Sequence, residues 1–139
     1  MIRMQQTRRN TAAAVALAAL LGSGSLAATP AFAGSDILSH GTFTGATNHV
    51  TTGGVSIVKT ASGHVVLLEP DFSLDGAPDP RVGLGKDGTY DDASDLGELT
   101  MKDGLQVYTV PASVDLSKYN EVYIWCRKFS VPLGVASLK

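Results

Sequence analysis

The chain has 139 residues, with 11 basic and 13 acidic side chains and a net charge of −2. This acidic balance argues against nucleic acid and anionic lipid as partners, because both attract basic surfaces. The single cysteine excludes a disulfide within the chain. It leaves a bond to another molecule, a reactive thiol, a thiolate that binds a metal or cofactor, or a buried thiol that only fills space.

Residues 1–33 have the pattern of a secretory signal peptide. Three arginines precede an apolar segment, residues 11–27, and a small-x-small site ends at Ala33. We predict cleavage after Ala33, which leaves a mature domain of residues 34–139 with 8 basic and 13 acidic residues, a net charge of −5. We expect this domain to be secreted or held in the cell envelope, with no stable membrane insertion. The arginine pair also admits the twin-arginine export route, although the polar residues after it favour the general secretory route.

The mature part consists of short alternating or apolar segments separated by turn residues, and no long window keeps a helical apolar period. Residues 34–39 are predicted to form a flexible leader, Gly85–Ser94 a polar surface loop, and Asp115–Tyr119 one helical turn capped by Asp115. The predicted strands are, in chain order, Gly41–Gly45, Val55–Thr60, His64–Glu69, Arg81–Leu84, Asp95–Leu99, Leu105–Val110, the strand around Val122–Trp125, and Ser130–Leu138. We therefore predict an all-β domain, an antiparallel β-sandwich or barrel-like fold of about seven to eight short strands.

The only tryptophan, Trp125, directly precedes the only cysteine, Cys126. The β-branched and aromatic residues before them indicate a strand, in which successive side chains point to opposite faces. We expect Val122, Ile124 and Cys126 to face the core, with Lys128 on the same face. Because a nearby cation favours the thiolate, Cys126 is the candidate redox thiol and also the candidate cofactor ligand.

Other polar residues give weaker signals for metal or hydrolytic chemistry. Clustered carboxylates can bind calcium, but Asp87, Asp91, Asp92 and Asp95 do not match the EF-hand spacing, which favours a solvated loop. The three histidines form no zinc-binding motif. No Gly-x-Ser-x-Gly elbow indicates a hydrolase. We therefore predict no metal site.

Taken along the chain, these segments resemble a DM13 domain, over nearly the whole mature length. The most specific part is the tail, where a Trp-Cys pair on a strand is followed by Phe-Ser-Val. The matching segments are Gly41-Thr-Phe43, the Val55–Leu68 hairpin, Asp71-Phe72 with the Pro78-Asp79 turn, Asp95-Leu-Gly97, Gly104–Tyr108 with Val110-Pro111, Val114–Tyr119, Val122–Cys126, Phe129-Ser-Val131 and Gly134-Val-Ala136. The strand after Pro78-Asp79 is shorter and less apolar than is usual in the family.

The resemblance implies a β-sandwich-like domain with a role in electron transfer outside the cell. It assigns that role to the family's cysteine, which corresponds to Cys126, acting as a bare thiol or holding a prosthetic group such as haem. In the haem version, the second axial ligand is one of His40, His49, His64 or Met101. We expect a redox-accessory domain rather than a stand-alone enzyme, with a separate redox partner protein.

Two other functions stay open. In the first, the chain is a non-enzymatic extracellular binding or envelope-interaction domain, Cys126 is structural, and loops such as Gly85–Ser94 make the contacts. In the second, Cys126 joins two copies covalently, which requires an exposed thiol. The accessibility of the sulfur and the side chains around it separate these functions, because thiol reactivity depends on both.

Overall fold

The structure is a computed structural model that describes residues 35–139, so the predicted signal peptide and its cleavage after Ala33 lie outside the described residues. Within residues 35–139, eleven strands form together with two single-turn 3-10 helices, Asp92–Ser94 and Leu116–Lys118. The strands are β1 (Asp36–Gly45), β2 (Thr51–Thr52), β3 (Gly54–Thr60), β4 (Gly63–Leu68), β5 (Ser73–Leu74), β6 (Pro80–Lys86), β7 (Thr89–Asp91), β8 (Gly97–Glu98), β9 (Gln106–Val110), β10 (Glu121–Cys126) and β11 (Val131–Ser137). No helix in this part of the chain has the length and apolar character needed to cross a bilayer.

Eight of the strands form one curled antiparallel sheet, a half-barrel, in the order β7-β6-β10-β11-β1-β3-β4-β9. The short strand β8 also pairs with β6, and β2 pairs separately with β5. Strand β1 joins the two halves of the large sheet, because residues 36–42 pair with β3 and residues 43–45 pair with β11. The all-β, antiparallel, barrel-like prediction is thus confirmed.

The concave face of the sheet encloses an apolar core. Burial of apolar surface is the main force that closes the sheet on itself. Fully buried side chains come from both halves of the sheet, among them Val55, Val66, Leu68, Val82, Leu84, Val122, Ile124 and Leu133. Phe43 and Phe72 pack edge to face in this core, with ring centroids 5.4 Å apart.

Two tight hairpins build much of the sheet. The predicted pairing of Val55–Thr60 with His64–Glu69 is confirmed by β3 and β4. Strands β6 and β7 form the second hairpin, which turns at Asp87 (φ 50°) and Gly88 (φ 84°). Two positive φ angles in a two-residue turn are the type I′ geometry that Asp-Gly favours. The prediction of a loop over Gly85–Ser94 is therefore wrong, because this Asp-Gly pair closes a hairpin.

The first strand is longer than predicted. β1 begins at Asp36, which pairs with Lys59, and the register slips at a bulge between Ile37 and Ser39. The prediction of a flexible leader over residues 34–39 is therefore wrong from Asp36 onward, because pairing with β3 supplies the backbone hydrogen bonds that its composition does not signal. Farther along, the predicted cap is confirmed, since Asp115 accepts a hydrogen bond from the Ser117 amide.

Candidate functional site

The Trp–Cys strand, β10, lies inside the sheet between β6 and β11. Its inner side chains, Val122, Ile124 and Cys126, are buried, while Trp125 on the outer face is half-buried. This confirms the predicted assignment of the two faces. Because hydrogen bonds run along both edges of β10, Cys126 is held at the end of a rigid element.

Cys126 is 1% exposed and belongs to the apolar core cluster. Its register partners are Pro80 on β6 and Val131 on β11. A thiol in this position packs like a small apolar side chain. A disulfide to a second copy would require the end of the strand to open, so the closed fold disfavours a covalent dimer through Cys126.

Strand β10 ends at Cys126, and residues 127–130 form an exposed turn. The Arg127 amide donates to the Asp79 carbonyl at 3.0 Å, and its guanidinium Nε donates to Asp79 Oδ2 at 2.9 Å. Lys128 lies in this exposed turn, with its Nζ 5.5 Å from the centroid of the Phe129 ring. The expectation that Lys128 shares the strand face of Cys126 is wrong, because the strand ends two residues before it.

The three histidines occupy other parts of the sheet. His40 Nε2 lies 3.1 Å from a Glu69 carboxylate oxygen, and His49 Nδ1 lies 2.9 Å from Asp75 Oδ1. His64 is the second residue of β4, where it pairs with Lys59 and Val110. None of these contacts involves Cys126, whose neighbours in the sheet are β6 and β11.

The other candidate ligands are also dispersed. Met101 is 52% exposed, and its amide donates to the Gln106 side chain. Asp91 caps a 3-10 turn and Asp95 pairs with Arg81, so these two carboxylates serve local structure. Within residues 35–139, no group of three or more His, Cys, Asp or Glu side chains is placed to hold a metal ion.

The surroundings of Cys126 do not fit a haem. A haem with a cysteine thiolate ligand needs the sulfur to face an open cavity. Four pockets on the described surface have volumes of about 320 to 550 Å³, and Cys126 lines none of them. The sulfur instead faces the closed apolar core.

An aromatic cluster on the outer face of the sheet is the feature that sequence reasoning missed. Tyr90 on β7 stacks on Trp125, with ring centroids 4.3 Å apart and an interplanar angle of 13°. Tyr123 meets Tyr90 at 5.7 Å and Trp125 at 6.5 Å. We call these three residues the outer aromatic cluster. It lies on the opposite face of β10 from Cys126 and begins at the residue next to it.

Glycines on β6 make room for this cluster. A Cβ atom on Gly83 would lie 2.6 Å from a ring carbon of Tyr90, and one on Gly85 would overlap the Tyr123 ring. The Gly-x-Gly spacing on β6 puts both glycines on the same outer face, opposite the aromatic residues of β10 and β7. The sequence did contain a signal for this cluster, because Tyr123 and Trp125 alternate along one strand and Gly83 and Gly85 alternate along another.

Charged groups surround the cluster. Arg81 binds Asp95 through Nε and Nη2, at 3.0 Å to each of the two carboxylate oxygens. The Tyr123 hydroxyl donates to Glu121 Oε2 at 3.1 Å, whereas the buried Tyr90 hydroxyl has no hydrogen-bond partner among the described residues. Burial, with a smaller contribution from Glu121, raises the pKa of Tyr123 to about 12. Burial, followed by the nearby Asp95 and Asp92, also raises the pKa of Tyr90.

In a comparison with known protein families, one family model matches the chain. The family model described as "Electron transfer DM13" matches residues 42–138, a range that contains Cys126 and the outer aromatic cluster. No curated protein matches the chain, and no solved structure matches it.

Proposed function

Because the chain belongs to the DM13 family of electron transfer domains, we propose that it is an exported electron-transfer module whose redox group is the Cys126 sulfur. Family membership carries the coarse role in electron transfer. The thiol chemistry, the export and the partner are the finer proposal. It is a redox-accessory domain that works with a separate partner protein rather than a stand-alone enzyme.

The position of Cys126 at the end of its strand is the observation that carries the thiol proposal. The sulfur is buried, but Arg127, the next residue, begins an exposed turn. In that turn, Arg127 is bound to Asp79 through both its amide and its guanidinium group. An ion pair this exposed contributes about 0–1 kcal/mol, so local opening of the turn costs less than unfolding of the domain.

The proposed chemistry is thiol–disulfide exchange with the partner. When the turn opens, the Cys126 thiol loses its proton and the sulfur attacks a disulfide of the partner. A bond forms between Cys126 and one partner sulfur while the partner's S–S bond breaks, and the leaving sulfur takes up a proton. Because the chain has only one cysteine, a separate dithiol donor must resolve this mixed disulfide. One donor thiol attacks the Cys126 sulfur and releases the partner as a dithiol, and the second donor thiol then displaces Cys126 and closes the donor's own disulfide. Two electrons thus pass from the donor dithiol to the partner's disulfide, and the Cys126 thiol is restored.

Export is part of the proposal. The predicted signal peptide would place the domain outside the cytoplasm, where disulfides persist and a thiol can act as an electron donor. Mass spectrometry of the protein recovered from the medium or the cell envelope tests this. A mature N-terminus at Gly34 is expected, and a retained N-terminal segment would contradict cleavage after Ala33.

The test of the thiol proposal compares wild type with Cys126→Ser under native conditions. We expect wild type to form a mixed disulfide with a small aromatic disulfide reagent slowly and completely, at a rate set by local opening. The Cys126→Ser variant should show no modification and should lose electron transfer to the partner. A wild-type thiol that reacts only in denaturant, together with full transfer activity in Cys126→Ser, would overturn the proposal.

The 1% exposure of Cys126 favours a second candidate function. In this case the chain is a non-enzymatic extracellular binding or envelope-interaction domain, and the thiol is core packing. Cys126→Ala and Cys126→Val would then leave the function intact and change only stability. Under the thiol proposal, both substitutions abolish the function.

A further inference from the structure

The outer aromatic cluster joins an oxidisable indole to a phenol that has a proton acceptor. Trp125 is half-buried, so part of the residue lies at the protein surface. Tyr123 lies two residues before it on the same face of β10, and the two rings meet nearly at right angles with centroids 6.5 Å apart. Rings this close exchange an electron readily, because electronic coupling falls steeply with distance.

The two tyrosines of the cluster differ in what their hydroxyls contact. An oxidised phenol is a strong acid, so a stable phenoxyl radical forms only where the proton has an acceptor within hydrogen-bond reach. Tyr123 donates to Glu121 Oε2 at 3.1 Å. Tyr90 lies nearer to Trp125, but its hydroxyl is buried without a partner among the described residues. Proton loss therefore favours Tyr123 over the closer ring.

Glu121 is held in place to accept this proton. The Gly88 amide donates to Glu121 Oε2 at 2.9 Å, which fixes the same oxygen that faces Tyr123. Glu121 is partly exposed, so a proton on its carboxyl group can exchange with water, while Tyr123 is 2% exposed. The phenol is neutral at physiological pH, and burial raises its pKa further, to about 12.

We propose that Trp125, Tyr123 and Glu121 form a one-electron relay on the outer face of the sheet, with Trp125 as the contact for an external electron acceptor. This inference rests on the electron-transfer role of the domain, not on the thiol chemistry of Cys126, and names the residues through which a single electron passes. It assigns Tyr90 a packing role, in which its ring holds the Trp125 indole in place.

The relay balances in electrons and protons. An external one-electron acceptor takes an electron from the Trp125 indole and is reduced, which leaves an indole radical cation. An electron from Tyr123 refills the indole while the phenol proton moves to Glu121, giving a neutral phenoxyl radical and a protonated carboxyl group. An external one-electron donor then reduces the phenoxyl radical, which takes back the proton from Glu121. One electron has passed from donor to acceptor.

Pulse radiolysis of the purified protein with azide radicals tests the relay. These radicals oxidise indole, and the chain has a single tryptophan, so the indolyl absorbance reports only on Trp125. In wild type we expect the indolyl signal to decay and a phenoxyl signal to rise at one first-order rate that does not depend on protein concentration. Conversion that scales with protein concentration would mean transfer between molecules and would overturn the proposal.

Variants distinguish the proposed relay, in which the electron comes from Tyr123, from transfer that simply uses the ring nearest to Trp125. Glu121→Gln keeps the shape but removes the base, and it should slow the conversion on the order of a hundredfold. Tyr123→Phe should abolish it, whereas the matched control Tyr90→Phe, which keeps the stacked ring, should leave the rate unchanged. The opposite pattern, with loss in Tyr90→Phe and none in Tyr123→Phe, would overturn the proposal. If Tyr123→Phe fails to fold, the conversion rate of Glu121→Gln still tests the proposal.

A last variant makes failure of the relay distinguishable from failure of the thiol proposal. Cys126→Ser should convert the indolyl radical at the wild-type rate, because the relay lies on the other face of β10. A finding that the Cys126 thiol is inactive would therefore not contradict the relay. Loss of conversion in Cys126→Ser would overturn the relay as proposed.

Discussion

Tyr90 and Trp125 stack at 4.3 Å although their strands, β7 and β10, are not neighbours in the sheet. Strand β6 lies between them, and the rings meet across it because Gly83 has no side chain to hold them apart. Aromatic rings that cover glycines in a sheet restore the packing that the missing side chains would give. The glycine on β6 is thus a requirement of the aromatic contact above it.

Gly83→Ala should disrupt this stack. The new Cβ atom would lie 2.6 Å from a ring carbon of Tyr90, so the ring must move away from Trp125. We expect a loss of about 1–3 kcal/mol in the free energy of unfolding, measured by urea denaturation, and a changed Trp125 fluorescence spectrum. In the double variant with Tyr90→Ala, the extra cost of Gly83→Ala should largely vanish. Additive effects of the two substitutions would contradict the proposed contact.

Tyr90→Phe and Tyr123→Phe should change the free energy of unfolding by different amounts or in opposite directions. Tyr90 buries a hydroxyl without a partner among the described residues, so its removal should be neutral or should stabilise the fold by about 1 kcal/mol. Tyr123→Phe removes the hydrogen bond to Glu121 and should cost about 0.5–1.5 kcal/mol. Chemical denaturation of the two variants beside wild type measures both effects. A larger loss in Tyr90→Phe would mean that its hydroxyl has a partner.

Stability should fall at alkaline pH because of these two tyrosines. Their pKa values in the fold lie above the unfolded value of about 10. The unfolded chain therefore loses protons first, so stability is fully present below about pH 10 and declines toward pH 12. Each tyrosine contributes a slope of up to about 1.4 kcal/mol per pH unit. The urea midpoint should fall less steeply between pH 9 and 11 in the variant that carries both Tyr90→Phe and Tyr123→Phe than in wild type. An equal pH dependence of the midpoint in the two proteins would count against this assignment.

Substitutions of Cys126 should lower the free energy of unfolding more when the new side chain is polar than when it is apolar. Cys126→Ala removes one buried atom and should cost about 1 kcal/mol, as other small core truncations do. Cys126→Ser puts a hydroxyl among apolar side chains and should cost about 1–3 kcal/mol, although serine is closer to cysteine in shape. The free energies of unfolding of the two variants are the measurement. A serine variant as stable as wild type would show that the site holds polar partners or water.

The contact between Arg127 and Asp79 should control access to the thiol. Arg127→Gln removes the ion pair at the turn that follows Cys126, so the turn should open more often. We expect native-state alkylation of Cys126 to speed up by as much as about fivefold, the factor that corresponds to an exposed ion pair of about 1 kcal/mol. The matched control is Lys128→Gln, which removes a charge from the same turn without breaking that pair and should not change the rate. Equal rates in all three proteins would mean that access follows another route.

Residues with strong local signals were placed correctly from the sequence. The β3–β4 hairpin, the Asp115 cap and the alternation of Val122, Ile124 and Cys126 depend on neighbouring residues and on the period of a strand. The Asp87-Gly88 turn was also a local signal, but the acidic composition around it led to the prediction of a loop. The early part of β1 had no such signal, because its order depends on pairing with β3.

The sequence by itself determined the all-β class, the family and the strand that carries Trp125 and Cys126, because these follow from alternation, turn residues and a specific local motif. Only the tertiary structure decided what surrounds them. The register of β6 against β10 and β7 brings Tyr90, Gly83 and Trp125 together, and curling of the sheet seals Cys126 in the core. Contacts between residues far apart in the chain depend on register and closure, which depend on the packing of the whole sheet.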